Sequence, residues 1–176
     1  DGVISDDARL AAALPTIEYL IKNEAKVIIA SHLGRPKGKP EEKWSLEPIA
    51  TELCQRLNAE VLFSHEIHED SLERMSKELK NGHVLVLENL RFHPGEESND
   101  LQFCYLLQSF CDIFVNDAFG TCHRKHASTY GLAKLCEQRV AGLLLEKEIH
   151  SLSEIAYQPL RPCLLYTSPS PRDSCA

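Results

Sequence analysis

The sequence predicts an α/β domain built on a parallel, doubly wound, Rossmann-like sheet. Three observations predict it. Short apolar runs at Lys26 to Ala30, Val61 to Phe63, Val84 to Leu87 and Ile113 to Val115 alternate with segments of helical periodicity, which is the spacing of βαβ units. These runs are continuously apolar rather than alternating, which suits strands covered on both faces. The 176 residues are 43% hydrophobic and 26% charged, an ordinary globular composition for which one domain is the expectation.

Asp1 to Asp7 is a polar entry, with Asp6 or Asp7 as the candidate N-cap of a first helix. Leu10, Leu14, Ile17 and Ile21 recur on one apolar face, and Pro15 among them predicts a kink or a late start. Lys26 to Ala30 is the first strand. The loop from Ser31 to Trp44 holds Gly34, Pro36, Gly38 and Pro40 together with His32, Arg35, Lys37 and Lys39. Ser45 caps a second helix that turns Leu46, Ile49, Leu53 and Leu57 inward and tolerates Pro48 in its first turn. After the strand at Val61, Leu72, Met75 and Leu79 mark a third helix. The strand at Val84 runs into Glu88 to Glu97, and a helix with Phe103, Leu107 and Phe110 inward leads to a buried strand at Ile113. Ser128 to Lys134 and Leu143 to Leu152 are further helical patterns.

The formal net charge of -7 argues against a nucleic-acid binder. No apolar run approaches the ~20 residues of a membrane span. The chain opens at Asp1 without a signal-like segment, so its targeting is not legible. Seven Cys form no C-x-x-C pair, and Cys54 and Cys104 fall among apolar neighbours on predicted helix faces. Free Cys there acts as a small hydrophobe, which points to a reducing compartment.

Against this acidic background, four bases stand in a row at His123-Arg124-Lys125-His126, just after the strand at Ile113 and a small turn at Gly120-Thr121. A lone basic tetrapeptide is ordinarily a solvated charge run. Here two more loops of the same kind lie upstream. The loops leaving the strands at Ser31, Glu88 and Asn116 carry Arg35, Arg91 and Arg124, whereas the loop at Ser64-His65-Glu66 carries no Arg. In a parallel sheet these loops share one edge, where ligands bind. Arginine offers a rigid fork of donors for phosphate and carboxylate, so the pattern predicts a small polyanionic ligand.

Other motifs fail on spacing. Gly34-Arg35-Pro36-Lys37-Gly38-Lys39-Pro40 has three residues between its glycines where a P-loop has four, and Pro40 where Ser or Thr would hold magnesium. His65 and His68 are three apart rather than the four of a zinc-protease helix, and read as surface histidines. Cys122, His123 and His126 could be part of a metal site, but no second cluster has ligand spacing, so no metal is expected. Ser31-His32 has no evident carboxylate partner for a triad.

Three stretches closely resemble phosphoglycerate kinase: Ser31 to Pro36, Glu88 to Glu97, and Val115 to Thr121 with His123, Arg124 and His126. Asp1 to Ile4 with Asp6, Asp7 and Arg9 is similar to the segment at that family's first helix. The resemblance runs from Asp1 to about Pro162 and implies one domain of a two-domain kinase. The implied reaction is reversible transfer of the acyl phosphate of 1,3-bisphosphoglycerate to ADP in glycolysis and gluconeogenesis. The implied substrate site is Arg9, the run His32, Leu33, Gly34 and Arg35, and Arg91 and Arg124, with His123 and His126 in the surrounding basic patch. Arg35, Arg91 and Arg124 would hold the non-reacting 3-phosphate. Arg9 would be the catalytic group, steadying charge on the transferred phosphoryl, since such catalysis is positioning plus electrostatics. Magnesium and ATP or ADP belong to the full-length enzyme; none is expected on this fragment. The resemblance also implies a monomeric parent in the cytoplasm, with a plastid or other organelle left open.

The departures are as specific. The family's first strand, with its Arg-x-Asp-Phe-Asn motif, has no counterpart upstream of Asp1, and its glycine-rich nucleotide half has none after Arg161-Pro162. Cys122 stands where the family commonly has Ala, a small change expected to be tolerated. Cys163 to Asp173 back-translates as TGTCTCTTATACACATCT and CCGAGCCCACGAGAC, a transposase sequencing adapter, so residues 163 to 176 are expected to be read-through and not part of the fold. The competing reading is a natural Ser/Pro-rich tail. Two other functions compete: a non-catalytic anion-binding module, natural as it stands, and an unrelated scaffold with incidental arginines.

Overall fold

The computed structural model describes residues 7–36 and 38–157; the Asp6 cap, Lys37 and the 162/163 boundary lie outside them. Five strands are described: β1 (Val27–Ile29), β2 (Val61–Ser64), β3 (Val84–Leu87), β4 (Ile113–Asn116) and β5 (Gln138–Ala141). The helices are α1 (Ala8–Lys22), α2 (Glu47–Arg56), α3 (Glu69–Glu78), α4 (Pro94–Ser98), α5 (Leu101–Gln108), α6 (Leu132–Leu135) and α7 (Leu143–Tyr157).

All strand pairs are parallel. One sheet has the order β1-β3-β2, and β4 and β5 form a second. Ile29 lies opposite Val86 and Phe63 does too, so three strands end level and deliver their loops to one edge. β3 shows why the run at Val84 is apolar without alternation. Leu85 and Leu87 join Leu72, Phe103 and Leu107 in one core. Val84 and Val86 join Ile17, Val27, Ala50 and Leu53 in the other, on the opposite face. Burying each such side chain stabilises by about 1.5–3 kcal/mol, so the central strand needs apolar residues on both faces.

The local expectations fare unevenly. α1 starts at Ala8 and takes Pro15 inside it, so the proline does not delay the start. Asp7 is its N-cap without a side-chain cap bond, because its carboxylate pairs instead with Arg56 at 2.7 Å. The cap of α2 is Leu46 rather than Ser45; the Ser45 hydroxyl still accepts from Glu47 N–H at 3.2 Å but donates to Glu88. His68 is exposed and caps α3, its Nδ1 accepting from Ser71 N–H. Cys104 is buried as expected, whereas Cys54 is exposed. Cys54 follows the inward Leu53 by one residue, a 100° step around the helix.

Ile113 was expected to be buried and is 52% exposed. β4 has β5 on one edge and no described strand on the other, so the apolar run lacks the two-sided cover β3 receives. The stretch from Ser128 is a π-helical turn, Ala127–Gly131, before the short α6.

Candidate functional site

The loops after β1 and β3 are locked together by one asparagine. Asn89 Nδ2 donates to Leu33 O at 2.7 Å and to Trp44 O at 2.9 Å, while its Oδ1 accepts from Arg91 N–H. Leu90 N–H reaches Ser31 O at 3.1 Å, and Gly38 N–H reaches Arg91 O. Glu88 anchors the other side, its carboxylate accepting from Ser45 Oγ, Leu46 N–H and Asn89 N–H. Gly34 is required at its place: its φ is +64°, and a Cβ there would lie 2.2 Å from the Trp44 ring.

This scaffold holds Arg91 under cover. The residue is 6% exposed. Its guanidinium donates to Gly34 O at 2.6 Å. Its Nε–H has no hydrogen-bond acceptor among the described residues, although Glu97 Oε1 lies 3.4 Å away as an ion pair. Burial lowers the Arg91 pKa; Glu97 opposes that shift and Arg124 adds to it. A buried cation held by a backbone carbonyl and by only one carboxylate keeps a positive field that favours an anion nearby.

His32 reports what surrounds it. Burial, then the positive charges of Arg91, His126, Arg124 and Arg9, push its pKa down to about 4. Arg35 in turn acts on Arg91. The structure therefore brings Arg9, Arg91, Arg124 and His126 within electrostatic reach of His32, and Arg35 and Arg124 within reach of Arg91. Leu33 and Gly34 contribute backbone carbonyls to the same loop. His123 is exposed, and no described contact ties it to this cluster. Arg9, Arg35 and Arg124 form no ion pair with any described residue, so the cluster keeps most of its charge uncompensated.

Arg124 hangs on the loop after β4. Asn116 Oδ1 accepts from Ala118 N–H to close its first turn, and Arg124 N–H donates to Thr121 O. The loop is bolted down by Asp117. Its Oδ2 accepts from Thr16 Oγ1 at 2.6 Å and its Oδ1 from Leu145 N–H at 3.0 Å. Thr16 Oγ1 accepts from Leu143 N–H at 3.0 Å, so two amides of the first turn of α7 are satisfied from afar.

Asn89, Glu88, Glu96 and Asp117 lie inside the stretches singled out from the sequence, yet residue type alone assigned them no part. A basic site draws attention to its cations; the acids that shape it are visible only once the fold brings them in. Among the described residues no group of His, Cys, Asp or Glu could hold a metal ion, and no helix is long and apolar enough to cross a membrane.

The family model for phosphoglycerate kinase matches residues 1–167. The phosphoglycerate kinase of Anaeromyxobacter dehalogenans is 51% identical over 163 residues, covering 92% of this chain and 41% of the relative. That of Fervidobacterium nodosum is 49% identical over 162 residues, covering 92% and 40%. The solved phosphoglycerate kinase of Coxiella burnetii superposes with a TM-score of 0.79 at 38% identity, over 92% of this chain and 40% of that one. The chain thus spans about 40% of the length of the relatives it matches.

Proposed function

The chain belongs to the phosphoglycerate kinase family, and from that premise we propose that it is the acid-binding half of an enzyme moving a phosphoryl group between 1,3-bisphosphoglycerate and ADP. The products are 3-phosphoglycerate and ATP, and the reaction is reversible. One observation carries the reading: the charges of Arg9, Arg91 and Arg124 act together on the half-buried His32, and Arg35 and Arg124 act on Arg91, beside the loops that leave β1, β3 and β4. Arg35, Arg91 and Arg124 would take the phosphate that does not react. Arg9 lies at the exposed start of α1 and would face the group in transfer.

Among the described residues no group of His, Cys, Asp or Glu could hold a metal ion, and no step is routed through magnesium or a nucleotide. Both are proposed for the part of the parent outside this chain, which matches only 41% of the length of its relative. The parent is proposed as a cytoplasmic monomer. Residues 163–176 are proposed as adapter read-through, and genomic DNA that encodes this tail would end that reading.

The test is an NMR titration of the chain with 3-phosphoglycerate. Shifts at Arg35, Arg91 and Arg124 should saturate and weaken as salt rises, because the site is open and screened. Arg91→Ala should abolish saturation. Shifts spread evenly over the surface, or unaffected by salt, would refute the assignment.

A further inference from the structure

Glu96 is an unexpected residue for a site made of cations. It lies in α4 at 2% exposure, and its negative charge acts on both Arg91 and His93. A buried carboxylate beside an anion site repels the anion, so its presence there needs a compensating cause.

The contacts supply one. Glu96 Oε2 accepts from Ser128 N–H at 3.0 Å, and Oε1 accepts from Ser128 Oγ at 2.6 Å. His126 Nδ1 stands 3.8 Å from Oε1. The next residue, Thr129, donates its hydroxyl to Arg124 O at 3.1 Å. Tyr130 N–H donates to His126 O at 2.8 Å. One carboxylate thus grips the head of the π-helical turn, and that turn grips the backbone of Arg124 and His126. Thirty-two residues separate Glu96 from Ser128, so the grip is tertiary and not a local turn.

We propose that Glu96 is a positioning residue for anion binding, fixing the basic loop in its binding shape before the anion arrives. This rests on reading the arginine cluster as an anion site. Simple charge arithmetic and positioning predict opposite signs. Removing the charge alone should strengthen binding. Releasing the loop should weaken it, because apparent affinity falls by the fraction of time the loop is competent.

Two substitutions separate the effects, since both remove the same charge. In Glu96→Gln the amide oxygen can still accept from Ser128 N–H, and the amide nitrogen can donate to a hydroxyl turned to accept. Glu96→Ala keeps neither bond. With 3-phosphoglycerate as the probe, Glu96→Gln should bind as well as the parent chain or better. Glu96→Ala should bind about tenfold more weakly, as expected if the freed loop is competent about a tenth of the time. Ser128→Ala, which removes only the hydroxyl bond, should fall between them and guards against a Glu96→Ala chain that fails to fold. In an Arg124→Ala background the Glu96→Ala loss should largely vanish, because the grip acts through that residue. The proposal is overturned if Ala and Gln both bind tighter, if both bind equally weakly, or if the Glu96→Ala loss persists undiminished without Arg124. A parent chain that shows no saturable binding would instead sink the anion-site reading and this proposal with it.

Discussion

Replacing Asp117 by Ala should cost this chain about 3 kcal/mol, a figure reached by two routes. The first counts bonds. Asp117 accepts from Thr16 Oγ1 at 2.6 Å and from Leu145 N–H at 3.0 Å. Hydrogen bonds to a charged group contribute about 1.5–3 kcal/mol each, and partial exposure puts both at the low end. The second counts what is left behind. Loss of a helix cap costs about 1 kcal/mol. The Thr16 hydroxyl, on a residue 7% exposed, would lose its acceptor at a cost of about 1–3 kcal/mol. Urea unfolding followed by circular dichroism is the assay. With a slope near 2 kcal/mol per molar, the midpoint should fall by about 1.5 M. Thr16→Val should cost less, and the double variant should fall short of the sum by about 1 kcal/mol or more, because the two side chains share one bond. A loss below about 1 kcal/mol, or strict additivity, would refute the idea that Asp117 holds α7 from a distance.

Three further outcomes are expected. The His32 ring should titrate near 4 in the folded chain, against an ordinary 6.5. The unfolded chain then takes up the proton first, so the stabilising share of His32 is complete above 6.5 and is lost as pH falls toward 4. Added 3-phosphoglycerate should raise the midpoint in an NMR titration, and a free-chain midpoint near 6.5 would contradict the crowded cation site. Gly34→Ala forces a Cβ onto the Trp44 ring at positive φ; the strained backbone alone should cost at least about 1–2 kcal/mol, with a shifted Trp fluorescence maximum, and an unchanged melting temperature would count against it. In timed alkylation at neutral pH, Cys54 and Cys122 should react first, being exposed. Burial pushes the Cys111 thiol up to about 12 and raises that of Cys104, so peptide mapping that finds these two labelled early would be a contradiction.

Some of this was legible before any coordinates. Val84 to Leu87 was readable because a strand covered on both faces can be written in one alphabet only. The loops carrying Arg35 and Arg91 were readable because parallel strands of one sheet hand their exits to one edge, whereas Arg124 follows β4 in the second sheet, a division the apolar runs did not show. β5 was not, because Gln138–Ala141 is exposed throughout and carries no apolar run. Ile113 misled because an apolar residue signals burial only where something covers it. Asp117, Glu96 and Thr16 were silent for a different reason. Their partners lie 101 and 32 residues away in sequence, and a periodicity argument sees only neighbours. The Ser45 cap was off by one position, although its hydroxyl accepts from Glu47 N–H while donating to Glu88, 43 positions on.

The division of the described strands into a three-stranded and a two-stranded sheet has a consequence for how the molecule breathes. β3 is paired on both sides and its side chains are buried, so its amides should be among the last to exchange with deuterium. Among the described strands β4 and β5 pair only with each other, and β5 is exposed along its length. Their amides should exchange through a separate and cheaper opening. Arg35 and Arg91 ride on the slow-exchanging unit, while Arg124 rides on the fast one. An anion that touches all three is then a rivet between two bodies of unequal firmness. Its binding should slow exchange in β4 and β5 far more than in β3, which has little left to gain.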